Sequence, residues 1–155
     1  MTSTYIRVQT DDFDLAQEYH ALRQSPHIGA IVSFVGLVRD VSDSSLRAMT
    51  LEHYPGMTEA ALDAICQQAR QHWPSVQGIR LIHRIGTLAL EEQIVLLLIS
   101  SAHRADAYAA SQFIMDHLKT QAPFWKKEHL ASGEQWVDAK DSDRSAQQRW
   151  ANPLV

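Results

Sequence analysis

Apolar and polar positions change period several times along this chain, and each change marks an element. Tyr5 to Gln9 reads as a short first strand. Asp12 is placed to cap a helix reaching about Arg23, with Phe13, Ala16 and Leu22 on its inner side. Gly29 to Arg39 is rich in Ile, Val and Phe and reads as a buried strand, with Gly36 marking a bulge or a close backbone approach. The polar stretch Val41 to Ser45 reads as a loop. Met49 to Tyr54 alternates faces as a strand does, and Pro55-Gly56 turns the chain. Thr58 then caps a helix to Trp73, followed by Pro74; its apolar positions Leu62, Ile65, Cys66, Ala69 and Trp73 recur at helical spacing.

Further strands are expected over Ile79 to Ile85, closed by Gly86, and over Gln93 to Ser101. The longest apolar run, Ile94 to Ile99, has the length of a buried strand. Arg104 to about Thr120 is a second long helix, ended by Pro123. Phe124 to His129 and Gln135 to Ala139 form a hairpin around Ser132-Gly133, and Asp141 to Trp150 forms a last short helix. Strands joined by short loops, with two long helices between them, predict an α+β domain with a mainly antiparallel sheet. With no internal repeat or linker, residues 1–155 are expected to form a single domain.

Composition adds three constraints. At 155 residues and 45% hydrophobic content, the chain can bury a core without covalent staples. Its one cysteine, Cys66, cannot form an internal disulfide, and its helical position places it in the core, away from the electropositive, accessible setting a reactive thiolate needs. The segment Met1 to Gln9 has no signal-peptide core, and no run approaches the roughly 20 apolar residues that span a bilayer. A soluble, cytoplasmic protein with no membrane role is expected.

The net charge of −4 gives no support to nucleic-acid binding. Within this acidic chain, Lys119 to Lys127 holds three lysines and no acid. Such a segment is either a site for a small anion or a solvated basic patch. In the helix that leads to it, Ala107, Ala110, Ile114 and Leu118 share a core face, and Arg104, Tyr108, Met115 and Lys119 form a stripe about a quarter-turn away. That stripe is either a ligand platform or cationic stems covering apolar surface. His103-Arg104, at the start of the helix, suits a phosphate, since helix N-terminal amides attract anions. A surface Arg beside a local capping histidine is the alternative.

Past the helix, the turn at Pro123 can bring Lys126 back toward Lys119. Two nearby ammonium groups depress each other's pKa and make a neutral amine accessible. Lys126 and Glu128 share one strand face, and Lys127 points away. Arg39, at a strand end before a polar loop, suits either ligand binding or a surface ion pair. His53 is rejected as a metal ligand because no second histidine or cysteine pair stands at ligand spacing.

Several segments then resemble, in order and spacing, one known family. They are FVGLVRD (Phe34 to Asp40), LEHYPGMTE (Leu51 to Glu59), HRIG (His83 to Gly86), SAHR (Ser101 to Arg104), FIMDHLKTQAPFWKKE (Phe113 to Glu128) and WVDAK (Trp136 to Lys140). Together they identify the chain as similar to the large subunit of molybdopterin synthase. The resemblance implies an α/β hammerhead-type fold and a homodimer of large subunits within a heterotetramer. It implies a small ubiquitin-like partner whose C-terminal Gly-Gly carries a thiocarboxylate, and cyclic pyranopterin monophosphate as substrate. No cofactor and no metal are implied for this step.

By matching position, the resemblance makes Lys119 and Lys126 the catalytic candidates. Leu37, Val38, Arg39, His103, Arg104, Lys127 and Glu128 join them as substrate-binding positions, with His103 and Arg104 reaching across the dimer. Phe34 and Met115 line the pocket. The chain departs from the family pattern at Leu37, where a basic residue is often seen, and at Lys140, where Arg is frequent. The second change replaces a forked donor pair by a point charge. Two competing readings are an anion-binding module without turnover and a structural partner of a ubiquitin-like protein.

Overall fold

In the computed structural model the apolar run Ile94 to Ile99 lies at the centre of the fold. The structure describes residues 2–40, 45–137, 148 and 150. The run belongs to β6 (Gln93–Ser101), where Val95 to Ile99 are at most 1% exposed. β6 pairs antiparallel with β2 (Ala30–Leu37) on one side and β4 (Val76–Arg84) on the other. β1 (Ser3–Gln9) adds to β4 in parallel, giving the order β1-β4-β6-β2.

This first sheet is covered on both faces, which is why its central strand needs no polar alternation. Ile79, Leu81, Val95, Leu97 and Ile99 face one cluster with the two long helices, α2 (Met57–His72) and α3 (Arg104–Gln121). Ile82, Leu96 and Leu98 face the other way, against Phe13 and Leu22 at the ends of α1 (Leu15–Leu22). Each such side chain contributes about 1.5–3 kcal/mol when fully buried. Arg80 Nε donates to Glu18 Oε2 at 2.7 Å and ties α1 to β4.

A second sheet, with order β5-β3-β7-β8, is built from β3 (Leu46–His53), β5 (Gly86–Ala89), β7 (Phe124–Leu130) and β8 (Gly133–Val137). All of its pairings are antiparallel. Leu46, Met49, Leu51 and Leu88 pack with Val38 beneath it. The expected α+β class and antiparallel bias are therefore observed, but over two sheets. Gly86, at φ +91, is where the chain leaves the first sheet for the second, a backbone angle glycine adopts without strain.

Several local expectations shift. The cap of α1 is Asp14, which accepts from Gln17 N at 3.1 Å, whereas Asp12 accepts from Phe13 N and from Gln93 Nε2. Ala16 is exposed. α2 is capped at Gly56, whose N–H donates to Glu59 Oε2 at 2.9 Å, and Thr58 sits inside the first turn. Gly36 does both things expected of it. The register shifts after it, and a Cβ there would stand 2.8 Å from Val95 Cγ1. Residues 41–44 of the expected loop, and the last helix apart from Gln148 and Trp150, lie outside the described residues. No helix among the described residues is long and apolar enough to cross a membrane.

Candidate active site

α3 brings its chemistry to its last turn. Ala107, Ala110, Ile114 and Leu118 are buried as their spacing requires. Phe113, Met115, Asp116 and His117 are buried as well, so the core face is wider than the spacing predicts. The cause is aromatic: Phe113 sits among Trp73, His72, His117 and Trp150, and Trp150 Nε1 donates to Asp116 Oδ2 at 2.7 Å. Lys119 emerges on the exposed side, one turn beyond Met115. After α3 the Ala122 N–H bonds back to Leu118 O, Phe124 N donates to Ala122 O at 2.9 Å, and the chain enters β7.

In β7 the alternation of faces sorts the candidates. Lys126 stands opposite Leu51, and Glu128 opposite Met49, on the side of the buried cluster. Both side chains are half-buried. Lys127 faces the other way, 3.6 Å from Glu134 Oε2 and 4.8 Å from the Trp136 ring centroid. The geometry thus brings Lys126 and Glu128 to the inner face and leaves Lys127 engaged on the outer one.

Two residues that sequence reasoning did not connect with the site hold this reversal. Thr58, fully buried, accepts from Tyr54 N at 2.9 Å and donates to Pro123 O at 3.0 Å. His83, on β4, stacks on Phe124 with ring centroids 3.9 Å apart and planes 19° from parallel. Its Nδ1 lies 2.8 Å from Arg84 O. A carbonyl can only accept, so the ring is protonated at Nδ1. Burial pushes the His83 pKa down to about 4, the bond to Arg84 O pulls it partly back up, and the charges of Lys119 and His53 lower it further. Its imidazole is neutral at physiological pH. The alternation of Ile79, Leu81 and His83 in β4 was the available signal for its inward position.

The remaining candidates fall into two groups. Leu37, Val38 and Arg39 line a cleft of about 790 Å³ with Asp40, Leu90 and Glu91. Leu37 and Arg39 are exposed, and Val38 is buried in the cluster beneath the second sheet. Phe34 stands opposite Leu97, on the face of the first sheet that meets α3, and Met115 packs in that same cluster. His103 and Arg104 lie at the other end of α3, both exposed. About 22 Å of helix separates Arg104 from Lys119 at 1.5 Å per residue. Arg104 and Lys119 of one protomer therefore stand about four helical turns apart. Lys140 lies outside the described residues.

Cys66 is fully buried, and burial pushes its thiol up to about 12. A thiolate there is inaccessible at neutral pH.

The two-sheet arrangement is that of proteins of molybdopterin biosynthesis. The solved MoaE protein of Burkholderia ambifaria superposes with a TM-score of 0.83 at 50% identity, covering 97% of this chain and 99% of that one. The molybdopterin synthase structure from Staphylococcus aureus superposes with a TM-score of 0.78 at 30% identity, covering 84% and 94%. In sequence, the molybdopterin synthase catalytic subunit of Vibrio cholerae is 53% identical over 146 residues, 94% of this chain and 97% of its own. The MoaE protein family model matches residues 8–121, and the chain belongs to that family.

Proposed function

We propose that the chain is the catalytic subunit of a cytoplasmic molybdopterin synthase. It transfers two sulfurs, in succession, to cyclic pyranopterin monophosphate. The sulfurs come from the C-terminal thiocarboxylate of a small ubiquitin-like subunit, and two copies of the chain pair at the centre of a heterotetramer. Similarity to molybdopterin synthase catalytic subunits over nearly the whole chain supports this reading. The observation that carries the chemistry is the short helix-to-strand connection, which separates Lys119 in the last turn of α3 from Lys126 on the inner face of β7 by six residues.

In this reading Lys119 meets the end of the incoming tail, and its amine serves as acid/base or stabilises the tail. Lys126 polarises or protonates the pterin side-chain carbons, which requires a cation held near developing negative charge. Arg39 binds the substrate phosphate together with His103 and Arg104 of the second copy. The length of α3 supports that division, because within one protomer it sets Arg104 about four turns away from Lys119. The backbone at Leu37 and Val38 and the side chains of Lys127 and Glu128 complete the contacts, and Phe34 and Met115 form the apolar wall. The buried Cys66 is compatible with sulfur arriving already activated on another protein. Glycine suits the tail because it adds no side-chain bulk and tolerates wide backbone angles.

The deciding experiment mixes the chain with thiocarboxylated small subunit and cyclic pyranopterin monophosphate, and measures molybdopterin. Formation is expected with the full-length partner and lost when its last two glycines are removed, with much of the docking affinity retained in calorimetry. Sulfur transfer from the truncated partner, or binding of the pterin without turnover, would sink the assignment. Mixing Arg39→Ala chains with Arg104→Ala chains tests the shared site. Activity should recover after subunit exchange, because one of the two sites then keeps both arginines.

A further inference from the structure

Lys119 and Lys126 are separated by six residues, and those six make a helix-to-strand reversal. Their spacing depends on what fixes that reversal. Inside it, one hydrogen bond runs from Phe124 N to Ala122 O, and Thr58 pins Pro123 O from α2. On the sheet side Phe124 pairs with His53 across β3. These contacts hold the backbone. The Phe124 ring is held by something else: it lies flat on His83, and His83 belongs to β4 of the first sheet. The stack is therefore a bridge from the fully covered sheet to the first residue of the strand that carries Lys126.

His83 is suited to this place in three ways. Its ring is flat, so it can stack at 3.9 Å where an aliphatic side chain cannot. Its Nδ1–H is spent on Arg84 O, which fixes the ring's orientation. It is almost completely buried and neutral, so it adds no charge beside Lys119.

We infer that His83 is a positioning residue for the reaction, a buried imidazole whose stack on Phe124 sets the placement of Lys126 relative to Lys119. This rests on the reading that the two lysines perform the chemistry. His83 acts through them and touches no substrate.

The test compares His83→Leu with His83→Phe in the complete synthase, with kcat expressed per folded chain and the thermal midpoint measured alongside. Leucine fills the space but cannot stack; phenylalanine stacks but lacks the bond to Arg84 O. His83→Leu should lower kcat between about 10- and 100-fold, as small misplacements of reacting groups do, with KM for the pterin little changed. His83→Phe should recover most of that loss. Phe124→Leu removes the other ring of the stack and should reproduce the His83→Leu split, which keeps the test decisive should His83→Leu fold poorly. A His83→Leu or Phe124→Leu enzyme with unchanged kcat overturns the inference. So does an equal loss in His83→Leu and His83→Phe, or a loss confined to KM. Lys119→Ala and Lys126→Ala run in the same assay separate the two levels. If they stay active, the lysine reading fails. If they are inactive while His83→Leu turns over normally, only the role of His83 fails.

Discussion

Among the described residues, the two sheets are of equal strand number and opposite character. The first is covered on both faces, and its centre is a run of aliphatic residues with no exposure. Among the described residues the second is packed on one face alone, and its other face shows Trp125, Lys127 and Trp136 outward. Lys126, Lys127 and Glu128 all lie on the second sheet, whereas Phe34 and Leu37 lie on β2, an edge strand of the first. Candidate chemistry is thus carried by the half-covered sheet and by edges and helix ends. The doubly covered sheet supplies the fixed frame they are measured from, a division common where a rigid scaffold positions reactive groups.

Substitutions should separate the two roles. The largest effect is expected on turnover: Lys119→Ala should lose about 100- to 10,000-fold in molybdopterin formation, the range of a positioned acid or base. Its unfolding free energy should change by less than about 1 kcal/mol, as for other exposed positions. Leu97→Ala reverses that pattern. It removes a fully buried side chain from the first sheet and should cost about 2–5 kcal/mol in denaturant unfolding. A Lys119→Ala chain that unfolds easily, or a Leu97→Ala chain of unchanged stability, would break the comparison.

Acid should act at the join between the sheets. The unfolded chain takes up a proton on His83 near the ordinary histidine value of 6.5, whereas the folded chain resists until about 4. The unfolded state therefore binds more protons in this window, and stability falls as pH drops from about 6.5 toward 4. From this group alone the loss approaches about 3 kcal/mol, with no contribution above the upper limit. His83→Phe should lack that component when unfolding is followed across the same range, and an identical slope in both proteins would argue against it. The smallest effect is expected at Lys127. Its ion pair with Glu134 and its contact with Trp136 are partly exposed, so Lys127→Ala should cost less than about 1 kcal/mol. Its turnover should fall far less than that of Lys126→Ala, as for a contact residue beside a catalytic one; a loss as deep as that of Lys126→Ala would show that the outer face also carries chemistry.

What could be read before the structure follows a physical line. β6 and the core face of α3 were legible because burial imposes a run or a period on local sequence. The opposite facing of Lys126 and Lys127 was legible for the same reason. The existence of a second sheet was not, since strand partners are chosen across long stretches of chain and a lone strand carries no mark of its sheet. The cap of α1 slipped by two positions because Asp12 and Asp14 are chemically alike, and only the fold reveals that Asp12 is engaged by Gln93. His83 and Thr58 could be assigned to strand and helix, but their partners Phe124 and Pro123 are brought to them by tertiary packing. Arg104 and Lys119 share a stripe in projection, and projection hides the length of helix between them.

The double coverage of β6 has a consequence in time. Its amides are bonded to β4 on one side and β2 on the other and are shielded above and below. Solvent deuterium can reach its central amides only when the whole domain opens. β8, bonded on one side to β7, has its other edge unpaired among the described residues. It can fray alone, so its label should appear long before that of β6. The molecule keeps two clocks, a slow one in its frame and a faster one at the rim beside the lysine-bearing strand.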